Sequence, residues 1–180
     1  MEIQTLPLLE IIKSRRSYRN FTYKKLSQQV IKEILECGRF APSKDNSQPW
    51  RINIVTHPTV RLMLAELSSE NTDLFESAAC CFVVFLDLSR STDRLQDILS
   101  IGALIENIIL AIHAIPHVGA VWVGDLIAHK DELIKIFKLS AAKYEPMGVV
   151  VAGGIDEDIE EYKKRKPIER RELEEFIDWF

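Results

Sequence analysis

Several residue types and spacings are scarce in this 180-residue chain, and each scarcity excludes something. There are three cysteines, Cys37, Cys80 and Cys81. That low, odd number excludes a disulfide framework and fits a reducing compartment. Seven glycines and seven prolines exclude collagen-like and low-complexity chains. No Cys-x-x-Cys or His-Glu-x-x-His spacing occurs, so the common zinc patterns are absent and no metal site is expected. His113 and His117 stand four apart, but Pro116 between them breaks a shared helical face. No uninterrupted apolar run reaches the roughly 18 residues of a membrane span. Met1 to Thr5 lack the basic-then-apolar pattern of a secretory leader. A cytoplasmic location without membrane contact is the expectation.

Signature loops are also missing. No Gly-x-Gly-x-x-Gly follows a strand pattern, so no Rossmann dinucleotide site is expected. Gly119 and Gly124 have the glycine spacing of a P-loop, but Asp125-Leu126 replaces the required Lys-Ser/Thr pair. No Gly-x-Ser-x-Gly elbow appears. The formal net charge of −4 argues against a general nucleic-acid binder.

What is present is ordinary for a globular domain: 47% hydrophobic and 28% charged residues. Length favours one domain over residues 1–180. Leu6, Leu8, Leu9, Ile11 and Ile12 predict a first helix ending near Ser14 to Arg16. A second is predicted over Gln28 to Phe40, with Ser27 as N-cap and Leu26 and Ile31 as a hydrophobic staple. Strands are predicted at Arg51 to Thr56, Ala79 to Asp87, Gly119 to Val123 and Pro146 to Ala152. Helices fall between them at Val60 to Leu67, Asp97 to Ala114 and Asp131 to Phe137. The continuous apolar run Ala79 to Leu86 reads as a strand buried on both faces, which demands helix layers on both sides. Cys80 and Cys81 lie inside it and read as small buried hydrophobes. The segment from Ile168 to Phe180 carries Leu173, Phe176, Ile177, Trp179 and Phe180, and is expected to dock on its own domain or on a partner subunit.

Charge is unevenly placed. Residues 11–32 hold Lys13, Arg15, Arg16, Arg19, Lys24, Lys25 and Lys32 with no acid. Residues 163–171 hold Lys163, Lys164, Arg165, Lys166, Arg170 and Arg171 with one Glu. The two clusters read either as two parts of one anion site, where arginine forks bind phosphate bidentately, or as two solvated faces. Ala41 to Trp50 forms a polar loop bracketed by Pro42 and Pro49. Asn46 and Gln48 there offer donors and acceptors suited to a flat heteroaromatic edge, and the same stretch also serves as a plain helix-to-strand connection.

Taken together, these stretches resemble the FMN-dependent nitroreductase family. Arg15-Arg16-Ser17-Tyr18-Arg19 is similar to its N-terminal Arg-Arg-Ser-x-Arg signature, and Pro42-Ser43 through Asn46-Ser47-Gln48-Pro49-Trp50 to its proline-bracketed loop. Gly102 to Ala111 resembles its central dimer helix, Gly119 to Gly124 its Gly-x-x-Trp-x-Gly strand, and Lys164-Arg165-Lys166-Pro167 its basic-proline motif. The resemblance implies an α+β fold, a three-layer α/β/α sandwich around a mixed, mostly antiparallel sheet. It also implies an obligate homodimer with FMN at the interface. Arg15, Ser17 and Arg165, with Lys163, would hold the phosphate, and Arg16 would assist there or reach the ribityl chain. Arg19 would sit near flavin N1 and the C2 carbonyl. Pro42, Ser43 and Asn46 would come from the partner subunit. The Val123 and Gly124 backbone would approach N5, and Asn71 would meet the pyrimidine edge.

The implied activity is ping-pong hydride transfer from NAD(P)H through FMN to a small-molecule acceptor such as a nitroaromatic or quinone. A specialised relative, dehalogenase-like or flavin-consuming, is the alternative, and a non-enzymatic anion binder a third. Larger relatives carry a helical lid after the strand matching Val83 to Asp87. Here only Leu88 to Asp97 precedes the central helix, so an open pocket is expected.

Overall fold

The computed structural model describes residues 7–68, 71–158, 162 and 168–180. Helix α1 spans Leu8–Ser14 and α2 spans Gln28–Arg39. Strand β1, Trp50–Val55, is followed by α3, Pro58–Leu67, and α4, Thr72–Ser77. Then come β2, Cys80–Asp87; α5, Arg94–His113; β3, Val118–Val123; α6, Lys130–Ile136; and β4, Tyr144–Gly154. The strands lie in the order β1-β2-β4-β3, and every ladder is antiparallel. A parallel bridge between Ser17 and Ala120 makes the sheet mixed.

All eight residues of β2 are buried. Alternation along the strand sorts them onto two cores. Cys81, Val83 and Phe85 join Leu64, Phe75, Leu126 and Leu133, beneath α3, α4 and α6. Cys80, Phe82, Val84 and Leu86 join Ile34, Leu104, Ile105 and Ile108, beneath α2 and α5. The result is the expected three-layer sandwich, and each large aliphatic or aromatic side chain so buried stabilises it by roughly 1.5–3 kcal/mol. The two cysteines are among these buried side chains, and all three are free thiols.

Element starts follow their caps. Ser27 Oγ accepts from Val30 N at 3.2 Å, as its sequence position predicts. Helix α5 begins at Arg94, earlier than the apolar pattern suggests, because Asp93 caps it by accepting from Gln96 N. Helix α4 has no counterpart in the sequence reading: only Leu74 and Phe75 in its six residues are large and apolar, too few for a period. By length and mean hydropathy (1.7) α5 could cross a bilayer. Its buried face packs instead against α2 and the sheet.

The segment 168–180 departs from the expectation of docking on its own domain. Its 3₁₀ turn Leu173–Glu175 leaves Leu173, Phe176, Trp179 and Phe180 exposed. Apolar content signals burial somewhere, but not on which chain.

Candidate functional site

Helix α1 stops at Ser14, and Arg15 turns the chain into extended backbone (φ −53°, ψ 134°). The extended segment is stitched to the sheet. Tyr18 N donates to Ala120 O at 3.0 Å, and Thr22 N donates to Gly154 O at 2.9 Å. Such close approach requires glycine beneath it. A Cβ at Gly119 would lie 2.7 Å from the Tyr18 ring, and one at Gly153 would lie 2.8 Å from Phe21.

Extended backbone sends alternate side chains to opposite sides. Arg15, Ser17 and Arg19 therefore share one cavity of about 170 Å³, closed by Glu106 and Ile109 of α5 and by Ala120 to Trp122 of β3. Among the described residues, neither Arg15, Arg19 nor Glu106 is in an ion pair. Their charges remain available to a ligand. Ser14 and Tyr18 line a different cavity of about 540 Å³, together with His113, His117, Glu157 and Tyr162. Arg16 is not brought to the Arg15 cavity. It falls on the alternate register of the extended segment and does not line that cavity. Spacing of i, i+2, i+4 in Arg-x-Ser-x-Arg carried that signal once the segment is read as extended. His113 Nε2 lies 3.0 Å from Ser14 Oγ. Burial, then the nearby positive charge of Arg15, pushes the imidazole below its ordinary pKa, while Glu157 opposes the shift.

The far end of β3 leads from Trp122 through Val123 to Gly124, where a 3₁₀ turn, Asp125–His129, begins. Asn71 belongs to this end. Its Nδ2 donates to Asp125 Oδ2 at 3.1 Å, and Ser68 Oγ donates to the same oxygen at 2.6 Å. The structure thus unites Asn71, Val123 and Gly124. Sequence offered no sign of the Ser68–Asp125 tie that fixes them, because it joins positions 57 apart.

Pro42, Ser43 and Asn46 form a third group. Lys44–Asn46 is a 3₁₀ turn, and Asp45, Asn46 and Gln48 all have positive φ. Gln48 N donates to Ser43 Oγ at 3.0 Å, and its Nε2 donates to Asn46 Oδ1 at 3.2 Å. Beneath the loop sits Asp97, fully buried, accepting from Ser91 Oγ at 2.7 Å, Thr92 N at 3.1 Å and Asp93 N at 3.2 Å. Ser47 Oγ reaches it at 3.5 Å, and Arg90 Nε donates to Ser47 O at 2.9 Å. Residues 88–93 are thereby folded into a tight link between β2 and α5 that carries no lid. Pro42, Ser43 and Lys44 line a cavity of about 240 Å³ with Gln96, Leu99, Ser100 and Ala103. That stretch of α5 precedes the Glu106–Ile109 stretch by roughly two turns, about 12 Å. One chain therefore holds two separate partial sites on the same helix. Lys163 and Arg165 lie outside the described residues.

Fold and site define a protein with an arginine-lined cavity laid against the edge strand of an antiparallel sheet. The nitroreductase family model matches residues 12–73. The chain is 37% identical over 99 residues to Bacillus subtilis YdgI, provisionally named an NAD(P)H nitroreductase. That alignment covers 54% of this chain and 47% of YdgI, so the matched stretch spans about half of that relative. YfhC of the same organism, of like provisional name, is 27% identical over 181 residues, 91% of this chain and 92% of its own. A solved structure from Desulfovibrio desulfuricans, provisionally named a nitroreductase and in complex with FMN, superposes with a TM-score of 0.85 at 29% identity. It covers 97% of this chain and 98% of that one. In both sequence and fold the chain is similar to members of the nitroreductase family.

Proposed function

We propose that this chain is an FMN-dependent NAD(P)H oxidoreductase that works as a homodimer. The observation that carries the reading is the convergence of Arg15, Ser17 and Arg19 on one cavity against β3, with neither guanidinium in an ion pair among the described residues. That donor set suits a phosphate and its sugar chain. At about 170 Å³ it falls below the roughly 300 Å³ at which whole small-molecule sites begin. The remainder of the site must come from elsewhere, and a second copy is the source. The outward stripe of α5 supports this. Leu95 and Leu99 are 69% and 65% exposed, and Gly102, Ala103 and Glu106 continue the same stripe. Pairing α5 with its twin would bring one chain's Pro42–Asn46 loop toward the other's Arg15 cavity. The exposed segment 168–180 offers further apolar surface to the same partner.

Bound there, the flavin ring would supply hydride acceptance from a nicotinamide and delivery to a small acceptor such as a nitroaromatic or quinone. The chain's own residues bind and orient. Arg15 and Ser17, with Arg165 and Lys163, hold the phosphate. Arg19 places positive charge where the reduced ring gains negative charge. Val123 and Gly124 present backbone at N5, and Asn71, held by Asp125, keeps one amide hydrogen and its carbonyl for the pyrimidine edge. No catalytic side chain is assigned, since the flavin would carry the hydride chemistry, and use of one pocket by donor and acceptor in turn would need no separate dinucleotide domain. The tight 88–93 link favours this reading over a lidded dehalogenase.

Purified protein should be yellow, and the colour should bleach in stopped flow with NADH or NADPH and return on adding an acceptor. Arg15→Ala combined with Arg165→Ala should fold and lose its flavin. A colourless protein that takes up no added FMN would refute the reading. Stoichiometric flavin retained in the double variant would refute the phosphate assignment alone.

A further inference from the structure

The fold splits the acid-free run of residues 11–32. Arg15 and Arg19 serve the cavity on β3, whereas Lys25 lines a separate cavity of about 290 Å³. This second cavity lies across the sheet, where β1 has ended at Val55 and β2 begins at Cys80. Among the described residues its polar wall is Tyr23, Lys25, Gln28, Thr56 and Arg61, and none of them is acidic. Arg61 Nη1 donates to Thr56 O at 3.1 Å and to Ala79 O at 3.4 Å. Its Nε is buried with no acceptor among the described residues. Among the described residues no carboxylate comes within ion-pairing distance of Arg61 or Lys25. The two carbonyls satisfy hydrogen bonds and leave the charge unbalanced. A part-buried cation without a counter-ion is costly, and the imbalance is relieved when an anion enters.

We propose that this cavity binds a phosphomonoester. The phosphate would sit between Arg61 and Lys25, where a planar fork and a point charge complement a dianion. The cavity is larger than a lone phosphate needs, and Leu26, Ile31 and Pro58 give it an apolar wall for the ester's organic body. Flavin binding is not required for this inference, so the two stand or fall separately.

The test is calorimetric titration of the FMN-saturated protein at fixed ionic strength with phenyl phosphate, inorganic phosphate and phenol. Phenyl phosphate should bind at least tenfold more tightly than either of the others. Lys25→Glu alters an exposed side chain and should weaken phenyl phosphate at least tenfold, with Tm and flavin content unchanged. Arg61→Lys should weaken it several-fold. Equal affinity for the three probes would overturn the proposal. So would phenyl phosphate binding that Lys25→Glu leaves intact, since the ligand would then occupy another place.

Discussion

Gly119→Ala tests the link between sheet and site most directly. The added Cβ would lie 2.7 Å from Cγ and Cδ2 of Tyr18 and 2.8 Å from Cγ2 of Ile155. Ordinary contact begins near 3.4 Å, so the Tyr18 ring must retreat by about 0.7 Å. It has little freedom to do so. Its backbone is bonded to Ala120 O, and its ring packs edge-on against Tyr162 with centroids 5.0 Å apart. Ile155 is held in turn by its N–H to His117 O at 2.9 Å. Overpacking of this kind costs roughly 1–3 kcal/mol. At roughly 2–4 °C per kcal/mol for a chain of this size, Tm should fall by about 2–12 °C in differential scanning calorimetry. Tyr18 lies between Ser17 and Arg19, so the displacement reaches the anion cradle. If about 1 kcal/mol of it is felt by bound FMN, Kd rises roughly fivefold in a fluorescence titration. Gly124→Ala is the control for Tm alone, because a Cβ there meets no atom of the chain within 4 Å. Equal Tm for the two variants would refute the argument from close approach.

Three further outcomes are expected. Asp97→Ala strands two backbone N–H donors and the Ser91 hydroxyl, so urea unfolding should show a loss of about 3 kcal/mol or more, with the 42–49 loop cut sooner by protease. His113 resists protonation in the folded chain, whereas the unfolded imidazole titrates near 6.5. The folded state then binds fewer protons, so this part of the stability is whole above about pH 6.5 and is lost as pH falls through the lowered native value. His113→Asn should flatten that part of a stability-against-pH series, and an unchanged acid slope would count against it. Burial pushes the Cys80 thiol up to about 12 and the Cys81 thiol higher still, while Cys37 is exposed. A thiol reagent at pH 8 should therefore label one cysteine in the native protein and three in urea. Rapid native labelling of all three would show that the β2 core opens.

Much of the layer architecture is legible in the sequence. The run Ala79 to Leu86 could be buried only between two helix layers, and the structure places its alternate residues in two cores. Ser27 announced α2 because a hydroxyl acceptor meets the orphan N–H groups of a first turn. Helix α4 was hidden, since six residues hold less than two turns of pattern. Asp93 marked the start of α5 only through geometry, because Asp97 is an equally good cap by composition yet lies buried inside the helix.

By itself the sequence determined the types and order of the candidate site residues, and the short stretch, without room for a lid, before α5. These depend on local chemistry and spacing, which the chain carries in one dimension. Tertiary structure alone decided which of them meet. It left Arg16 out of the cavity that Arg15 and Arg19 line, tied Asn71 to Asp125, and set Lys25 and Arg61 on one cavity at the other side of the sheet. It also left the Arg15 cradle and the Pro42 loop on separate stretches of one helix. The reason is that antiparallel pairing in the order β1-β2-β4-β3 brings together positions far apart in the chain, and no local pattern encodes which strands will be neighbours.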